Sequence, residues 1–598
     1  MHGEMNMGLK FTGTFKELKS KLASLSSEWD ESQTNKKVLR KDGCVLNWFE
    51  STGNIQFQGK TSSIDSMEQR VSKLLYPSEF NATPTTEIFS KRIESHSNVV
   101  TTASSTIEHQ YLTSGVTQSE IVIGIVSAVG TESRRVIDPL KDRIKGFGYT
   151  VEEIRVSSIL PAQTGLSSEY LRIRNYMNAG DNLRKDSGNN AILATGAAKV
   201  ISDKRTSGTP KKAYIVNSLK HPNEVELLRK IYGDGFYLFG IHDDEKRRHG
   251  YLTNDKNCTQ QQASELIKID EDEKVDHGQR TRDTFHLADF FLNIGKNDDQ
   301  VKNTIQRFLE LIFSHPYKNP TFDEFAMFMA FNSSVRSSDL SRQVGAIITK
   351  NQQIVATGAN DCPQSGGGLY WAEVDPDSGE VRDKVDGKDY MRDEDSNKRA
   401  QIEIITEITD SVISSGIVDN SKREDFKDVL KNSKISDLTE FGRVVHAEME
   451  ALLSCGRAGI STTDSVLYCT TFPCHNCAKH IIDAGIKRVV YVEPYPKSKA
   501  LEFHSESTHL KTGLDDKSDP LLVTFEPFNG VGARRFLDLF SVSLGSGSKL
   551  RRKDKDGITV DWSKETATIR TPLLPTSYLD IEKAAATIWE NRNGDING

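Results

Sequence analysis

The sequence predicts an α/β protein in which two successive sheet-and-helix units follow a small α+β module. Three observations carry this. The apolar run IVIGIVS from Ile121 leads into a loop, AVGTES, and an amphipathic helix, RRVIDPLKDRI, which is the order of a phosphate-cradling unit. From about Pro320 apolar strands alternate with helices a second time. The first 75 residues instead show a helix, short strands and turn signals in close succession.

In chain order, residues 1–78 hold the helical run FKELKSKLASL, strands in KVLRKDGCVLNWFE and NIQFQGK joined at Asp42-Gly43 and Gly53-Asn54, and a helix SMEQRVSKLL. Residues 79–118 are rich in Ser and Thr with little periodicity and read as a linker. Residues 119–315 continue from IVIGIVS with strands at Thr150 to Val156, Ala213 to Val216 and Phe236 to Ile241, alternating with helices such as NEVELLRKIYG, as in a doubly wound parallel sheet. Residues 320–545 run through helix FDEFAMFMAFNSSV, strands VGAIIT and IVATGAN, an insert at 364–440, helix VVHAEMEALLSCG, strand SVLYCTT, helix CHNCAKHIIDAG and strand KRVVYV. The insert is charged before it turns helical in IEIITEITDSVISSG. The tail, 546–598, opens on the basic run LRRKDKD and shows no chemistry of its own.

Composition narrows the function classes. Lys and Arg number 77 against 84 Asp and Glu, a net charge of -7, so there is no global cationic field for gripping a polynucleotide. No run of about 18 apolar residues suggests a membrane span, and no basic stretch leads into an apolar one at Met1, so the expectation is a soluble, cytoplasmic protein. Seven cysteines are too few and too scattered for a disulfide framework. Only Cys474 and Cys477 have an informative spacing; Cys44, Cys258, Cys362, Cys455 and Cys469 read as small core residues.

The strings VVHAEME and TTFPCHNCAKH supply His446, Glu448, Cys474 and Cys477. Two thiolates and an imidazole make three ligands for Zn²⁺ and leave a place for water, the mark of a catalytic rather than a structural site. The cysteines open a helix whose dipole and free N–H groups favour negative sulfur, Pro473 suits the helix start and Gly485 its end. Glu448 is placed to take a proton from water and return it to a ring nitrogen and a leaving amine, which is hydrolytic deamination. A structural zinc knuckle remains the alternative reading of these residues.

Over roughly Pro320 to Phe536 the chain closely resembles the deoxycytidylate deaminase family, through SSVRSSDLSRQVGAII, TGAN followed by CP, VVHAEMEALL, LYCTTFPCHNCAKHIIDAGIKRVVYVEPY and FEPFNGVGARRF. The resemblance implies a three-layer α/β/α domain, zinc on His446, Cys474 and Cys477, Glu448 as proton shuttle, Asn360 facing sugar and base, and Arg336, Lys497 and Lys499 toward phosphate oxygens. The insert is much longer than in simple family members, so the family's allosteric loop has no assignable counterpart.

The loop after IVIGIVS is a degenerate phosphate loop. Its glycines, Gly124 and Gly130, are one residue too far apart, Thr131 stands where Lys is needed, and Glu132 would repel phosphate. Strands YIVNSL and FYLFGI, the charged DDEKRRH with Arg247 and Arg248, DEDE and GQRTRDTF still resemble small nucleotide and dephospho-coenzyme A kinases. That resemblance implies a P-loop kinase-like sheet with a nucleotide-binding site at Ser127, Gly130, Thr131, Arg247 and Arg248. The whole arrangement is similar to bacterial antiviral deoxycytidine-nucleotide deaminases, which implies dCTP and dCMP as substrates, dCTP depletion during phage infection, and an off state held by a regulatory nucleotide or small RNA. It also implies a homo-oligomer, up to a hexamer. DGCVLNWFESTG and FQGK resemble a small substrate-binding domain found ahead of some ribonucleases H; Trp48, Phe49 and Phe57 suit either base stacking or a core. A housekeeping dCMP deaminase, a tRNA-type polynucleotide deaminase and a non-catalytic nucleotide sensor stay open as alternatives.

Overall fold

The computed structural model describes residues 11–59, apart from 23–24, 26–28, 34 and 42–43, then 67, 70–71 and 74–75, and finally 119–573, apart from 162–164, 206–210, 272–275, 296, 393–394, 439, 493–497, 512 and 514–518. The Ser/Thr-rich stretch, most of the SMEQRVSKLL helix, Lys497, half of DEDE and the end of the tail thus lie outside the described residues. The described residues form two compact units, the first within residues 1–100.

In the first unit α1 (Phe15–Lys21) starts at Thr14, whose hydroxyl accepts from Glu17 N while Glu17 returns a bond to Thr14 N, so two otherwise unpaired donors are satisfied. A meander follows: β1 (Trp29–Gln33), β2 (Lys36–Lys41), β3 (Cys44–Phe49) and β4 (Ile55–Gly59), all antiparallel. Trp48 lies in the core beside Leu18, Leu39 and Leu46, and its indole N–H donates to Phe11 O at 3.1 Å.

The second unit holds two six-stranded sheets. The first is built from β5 (Ile121–Ser127), α2 (Arg134–Lys145), β6 (Thr150–Arg155), α3 (Glu169–Ser187), α4 (Ile192–Lys204), β7 (Lys212–Asn217), α5 (Pro222–Tyr232), β8 (Phe236–His242), α6 (Glu245–Asn254), α7 (Gln260–Glu271), α8 (Thr281–His286), β9 (Phe290–Asn293) and α9 (Asp298–Ile312). Its strands run β9-β8-β5-β7-β6, all parallel. Both faces are covered, which is why β5 is apolar throughout: Ile121, Ile123 and Ile125 meet α2 and α9, while Val122 and Val126 meet α4 and α5.

The second sheet is built from α10 (Phe322–Ser334), β10 (Gly345–Lys350), β11 (Gln353–Ala359), the small hairpin β12 (Glu373–Val374) and β13 (Val381–Arg382), α11 (Ser396–Ser414), α12 (Arg423–Lys431), α13 (Ala447–Ala458), β14 (Val466–Cys469), α14 (His475–Asp483), β15 (Arg488–Tyr491), α15 (Ala500–Phe503), β16 (Thr508–Leu510), β17 (Val523–Pro527), β18 (Gly530–Val531) and α16 (Ala533–Phe540). The order is β11-β10-β14-β15-β17-β16, with β10 antiparallel to both neighbours and the others parallel. Three layers result: Ile347, Tyr468 and Val490 face α10, whereas Ala346, Leu467 and Val489 face α13 and α14. Two glycines allow the helices this close. A Cβ at Gly345 would lie 1.9 Å from Ala330 O of α10, and one at Gly358 would lie 2.1 Å from Ala447 O of α13.

The two sheets share their packing. Ala326, Met327 and Ala330 of α10 belong to the same apolar cluster as Val225 and Leu228 of α5. β18, which follows β17 in the chain, adds antiparallel to the edge of the first sheet, pairing Gly530 with Phe291 and Val531 with Phe290. The tail, silent in sequence, is structural: Ile569 enters the core around α2 and α9, Trp562 Nε1 donates to Phe313 O at 3.0 Å, and the Thr571 hydroxyl lies 2.5 Å from that of Tyr237. Among the described residues no helix is long and apolar enough to cross a membrane.

Two substitutions test this packing. Glu324→Ala removes a buried carboxylate that holds Arg307, and should destabilise the second unit by about 3–5 kcal/mol in urea unfolding; a change below about 1 kcal/mol would contradict its role. Gly358→Ala forces α13 away from β11 and should lower both unfolding stability and zinc content, whereas Gly456→Ala, on α13 itself with open space and no left-handed backbone, should leave zinc content unchanged.

Candidate active site

Two helix starts converge at the second sheet. His446 is the N-cap residue of α13, and its ring is not used for capping, so its nitrogens remain available to a ligand. Cys474 is the N-cap of α14, where its sulfur accepts from Cys477 N at 3.4 Å. Chain path brings the two helices together: Val445 bridges to Asp361 just past β11, with Val445 N donating to Asp361 O at 3.0 Å, and this sets His446 at the sheet's end.

The Nδ1 of His446 lies 3.4 Å from Cys474 Sγ and 3.3 Å from Cys477 Sγ. The three ligand atoms all lie within 4.8 Å of one another, and among the described residues this is the group of His, Cys, Asp and Glu able to hold a metal ion. One imidazole and two sulfurs, gathered to this spacing, fit Zn²⁺ with a position left for water. The Cys474 thiol is drawn down to about 4 by the Cys477 thiol and by His446, so a sulfur ligand is readily ionised.

Glu448, in the first turn of α13, is 4% exposed. Burial raises its carboxyl above the ordinary range and negative Cys474 adds to the effect, which suits a group that must both take and give a proton. Sequence reading missed one neighbour. Cys469, at the end of β14, is buried against Glu448, and burial together with that carboxylate keeps its thiol protonated. The informative signal was its place three residues into a strand that ends at the metal site.

The other residues implied by resemblance are placed as follows. Asn360 follows β11; its Oδ1 accepts from Val344 N at 2.6 Å and its Nδ2 donates to Arg342 O at 2.8 Å, so its amide braces the 342–344 loop. Arg336 stacks on Trp371, 3.6 Å from guanidinium carbon to ring centre, and its buried Nη2 has no partner among the described residues. Lys499 pairs with Glu502 at 3.3 Å beside Phe503, and Lys497 is outside the described residues. The insert folds back here too: Lys388 reaches Asp361 at 3.2 Å, and Arg443 reaches Asp389 at 2.7 Å.

In the first sheet the loop after β5 is occupied by the protein itself. Val129 N donates to Asp270 Oδ2 at 2.7 Å, and Lys220 Nζ donates to both Ser127 O and Asp270 Oδ1 at 2.7 Å. Gly130 has φ +83° and lies against Arg248 O. Thr131 is buried, and its hydroxyl finds no partner among the described residues. Arg247 pairs with Asp243 at 3.0 Å, while Arg248 is 1% exposed and donates to Asp243 O.

Part of the chain is similar to known proteins. Residues 320–493 match the cytidine and deoxycytidylate deaminase zinc-binding region. The deoxycytidylate deaminase of Enterobacteria phage T4 is 32% identical over 173 residues, which is 29% of this chain and 77% of that protein. ComE operon protein 2 of Bacillus subtilis (strain 168) is 49% identical over 53 residues, 9% of this chain and 28% of that protein. A solved structure of dCMP deaminase from the cyanophage S-TIM5, in complex with dCMP and dUMP, aligns at 21% identity and TM-score 0.20, covering 36% of this chain and all of that one. With the metal triad and its buried glutamate in place, the chain belongs to the cytidine and deoxycytidylate deaminase family and is a zinc-dependent deaminase.

Proposed function

We propose that the chain hydrolyses the 4-amino group of free deoxycytidine nucleotides, turning dCMP into dUMP and dCTP into dUTP. The observation that carries this is the buried Glu448 beside the His446, Cys474 and Cys477 triad, in a chain whose relative of 77% coverage is a deoxycytidylate deaminase. A bound zinc supplies a Lewis acid that makes water nucleophilic near neutral pH. Glu448 would take one proton from the water that adds to C4 and deliver it to ring N3, then carry the second proton from the new C4 hydroxyl to the amino group, so that the C–N bond breaks, ammonia leaves and C4 becomes a carbonyl. Cys469, whose thiol burial and Glu448 keep protonated, adds no charge next to that carboxylate. Arg336, whose Nη2 is unpartnered among the described residues, is the donor best prepared for a phosphate oxygen, with Lys497 and Lys499 assigned to the same task by resemblance. Asn360 faces sugar and base in this reading, and also braces the 342–344 loop.

The larger role proposed is depletion of dCTP in the cytoplasm as a defence against phage, carried out by a homo-oligomer, up to a hexamer. The first sheet, with Ser127, Gly130, Thr131, Arg247 and Arg248 at its loop, is read as a P-loop kinase-like nucleotide-binding domain. It and the N-terminal module would hold the enzyme off until a nucleotide or small RNA signal changes. A second sheet sharing its core with the deaminase sheet supports regulation, because a housekeeping deaminase needs no such partner.

Incubation with dCMP, dCTP and CTP side by side should give dUMP and dUTP; conversion of CTP alone, or of an RNA alone, would remove the proposed substrate. Glu448→Ala should retain zinc and lose about 10²–10⁴ in kcat, whereas Cys474→Ser should lose zinc as measured by elemental analysis. Deletion of the gene should weaken phage resistance without a thymidylate requirement.

A further inference from the structure

At the carboxyl ends of β5, β6 and β7, where parallel sheets bind their ligands, the first sheet opens into a cavity of ≈ 430 Å³. Its lining includes Arg155, Arg172, Arg184 and Lys220, and no carboxylate among the described residues. The acids that pair with these cations stand behind them: Glu153 3.4 Å from Arg155, Glu169 2.9 Å from Arg172, Glu224 2.7 Å from Arg184, and Asp270 2.7 Å from Lys220. They fix the cationic ends in place, so that the described lining of the cavity carries basic side chains and no acidic one. Arg184 is buried, with Nη1 on Asp181 and Nη2 on Glu224, and its Nε has no partner among the described residues.

Two further features mark this cavity as a ligand site. Ser218, on its wall at the end of β7, holds φ +82°, a backbone conformation that a non-glycine residue keeps only when its surroundings impose it. Tyr176 and Tyr251 also line the wall, with Arg172 5.9 Å from the first ring and Lys256 5.2 Å from the second, so aromatic surface lies next to cationic surface. A planar heterocycle joined to a phosphate offers both kinds of contact at once.

The loop after β5 points to how many phosphates fit. In a phosphate loop the backbone amides cradle the α and β phosphates of a triphosphate and a lysine reaches the β and γ. Here Val129 N is already bound by the Asp270 carboxylate, Lys220 holds that carboxylate there, and Arg248 is turned to protein carbonyls. The remaining cationic wall is on the side of β6 and α3.

We infer that this cavity binds a nucleoside monophosphate, its phosphate held by Arg155, Arg172, Arg184 and Lys220 and its base lying against the tyrosines, without phosphoryl transfer. This rests on the nucleotide-binding reading of the first sheet given above, and specifies which side of the loop is used and how many phosphates are taken.

Calorimetric titration of the full-length chain with AMP, GMP, CMP and UMP, and separately with ATP, tests it. At least one monophosphate should bind, and Arg172→Ala and Arg155→Ala, both on partly exposed side chains, should each weaken it about tenfold with zinc content unchanged. Lys199→Ala, on an exposed side chain of α4 outside the cavity lining, should leave the affinity as it is. If ATP binds about ten times more tightly than every monophosphate, or if neither arginine variant changes the affinity, the inference fails while nucleotide binding by the first sheet stands. If none of the five probes binds below about 5 mM, a range in which cellular nucleotides would leave the site empty, both fail together.

Discussion

One buried carboxylate, Glu324, fixes how the two sheets of the second unit meet. It lies in the first turn of α10, where Thr321 N donates to its Oε2 at 2.7 Å, and Arg307 of α9 grips both oxygens at 2.7 Å. Its Oε1 also accepts from Val531 N at 2.9 Å, the strand that extends the first sheet. Three segments from both sheets therefore end on one group. A buried charge with this many donors strongly favours a single geometry, since any shift leaves one of them unpaired. From there the order propagates: α10 presses on β10 through Gly345, β10 pairs with β14, and β14 ends beside Glu448 and the metal ligands.

The chemistry was legible in the sequence because it is local. His446 and Glu448 lie two residues apart, Cys474 and Cys477 three apart, and each pair sits at a helix start where the backbone presents the side chains without help from afar. The long alternating runs were legible for the same reason, since β5 is buried on both faces and must be apolar along its length. What escaped was set by tertiary contact. β9 has four residues and β18 only two, and β18 is a strand only through its pairing with the edge of β9. The tail carries charged and polar residues, yet its Arg570 is buried because its guanidinium finds the carbonyls of Asp538 and Ser541. Arg248, within the charged run DDEKRRH, is likewise interior, its guanidinium meeting the carbonyls of Asp243 and Val129.

The two sheets use similar local materials to opposite ends. In the second, the polar groups at the strand ends are left facing one another, so that a metal and a substrate can complete them. In the first, the loop after β5 is completed from within, by Asp270, Lys220 and Thr281. A loop whose amides are already satisfied gains little from a phosphate, because the incoming anion must displace a buried carboxylate of like charge.

The hydrogen bond from Leu573 N to the Ser119 hydroxyl, at 3.0 Å, joins residues 454 positions apart. Ser119 directly precedes β5, so two distant described segments of this unit meet at one corner. On a ribosome that delivers the chain from its N-terminus, β9 stays an open sheet edge until β18 has emerged, and the corner stays open until residue 573 follows. The zinc ligands emerge earlier than either closure, so a nascent chain holds its metal-binding residues before it holds the packing that fixes them. Emergence of residues 530–573 is thereby a condition for closing the first sheet and its corner, and such long-range closure slows folding.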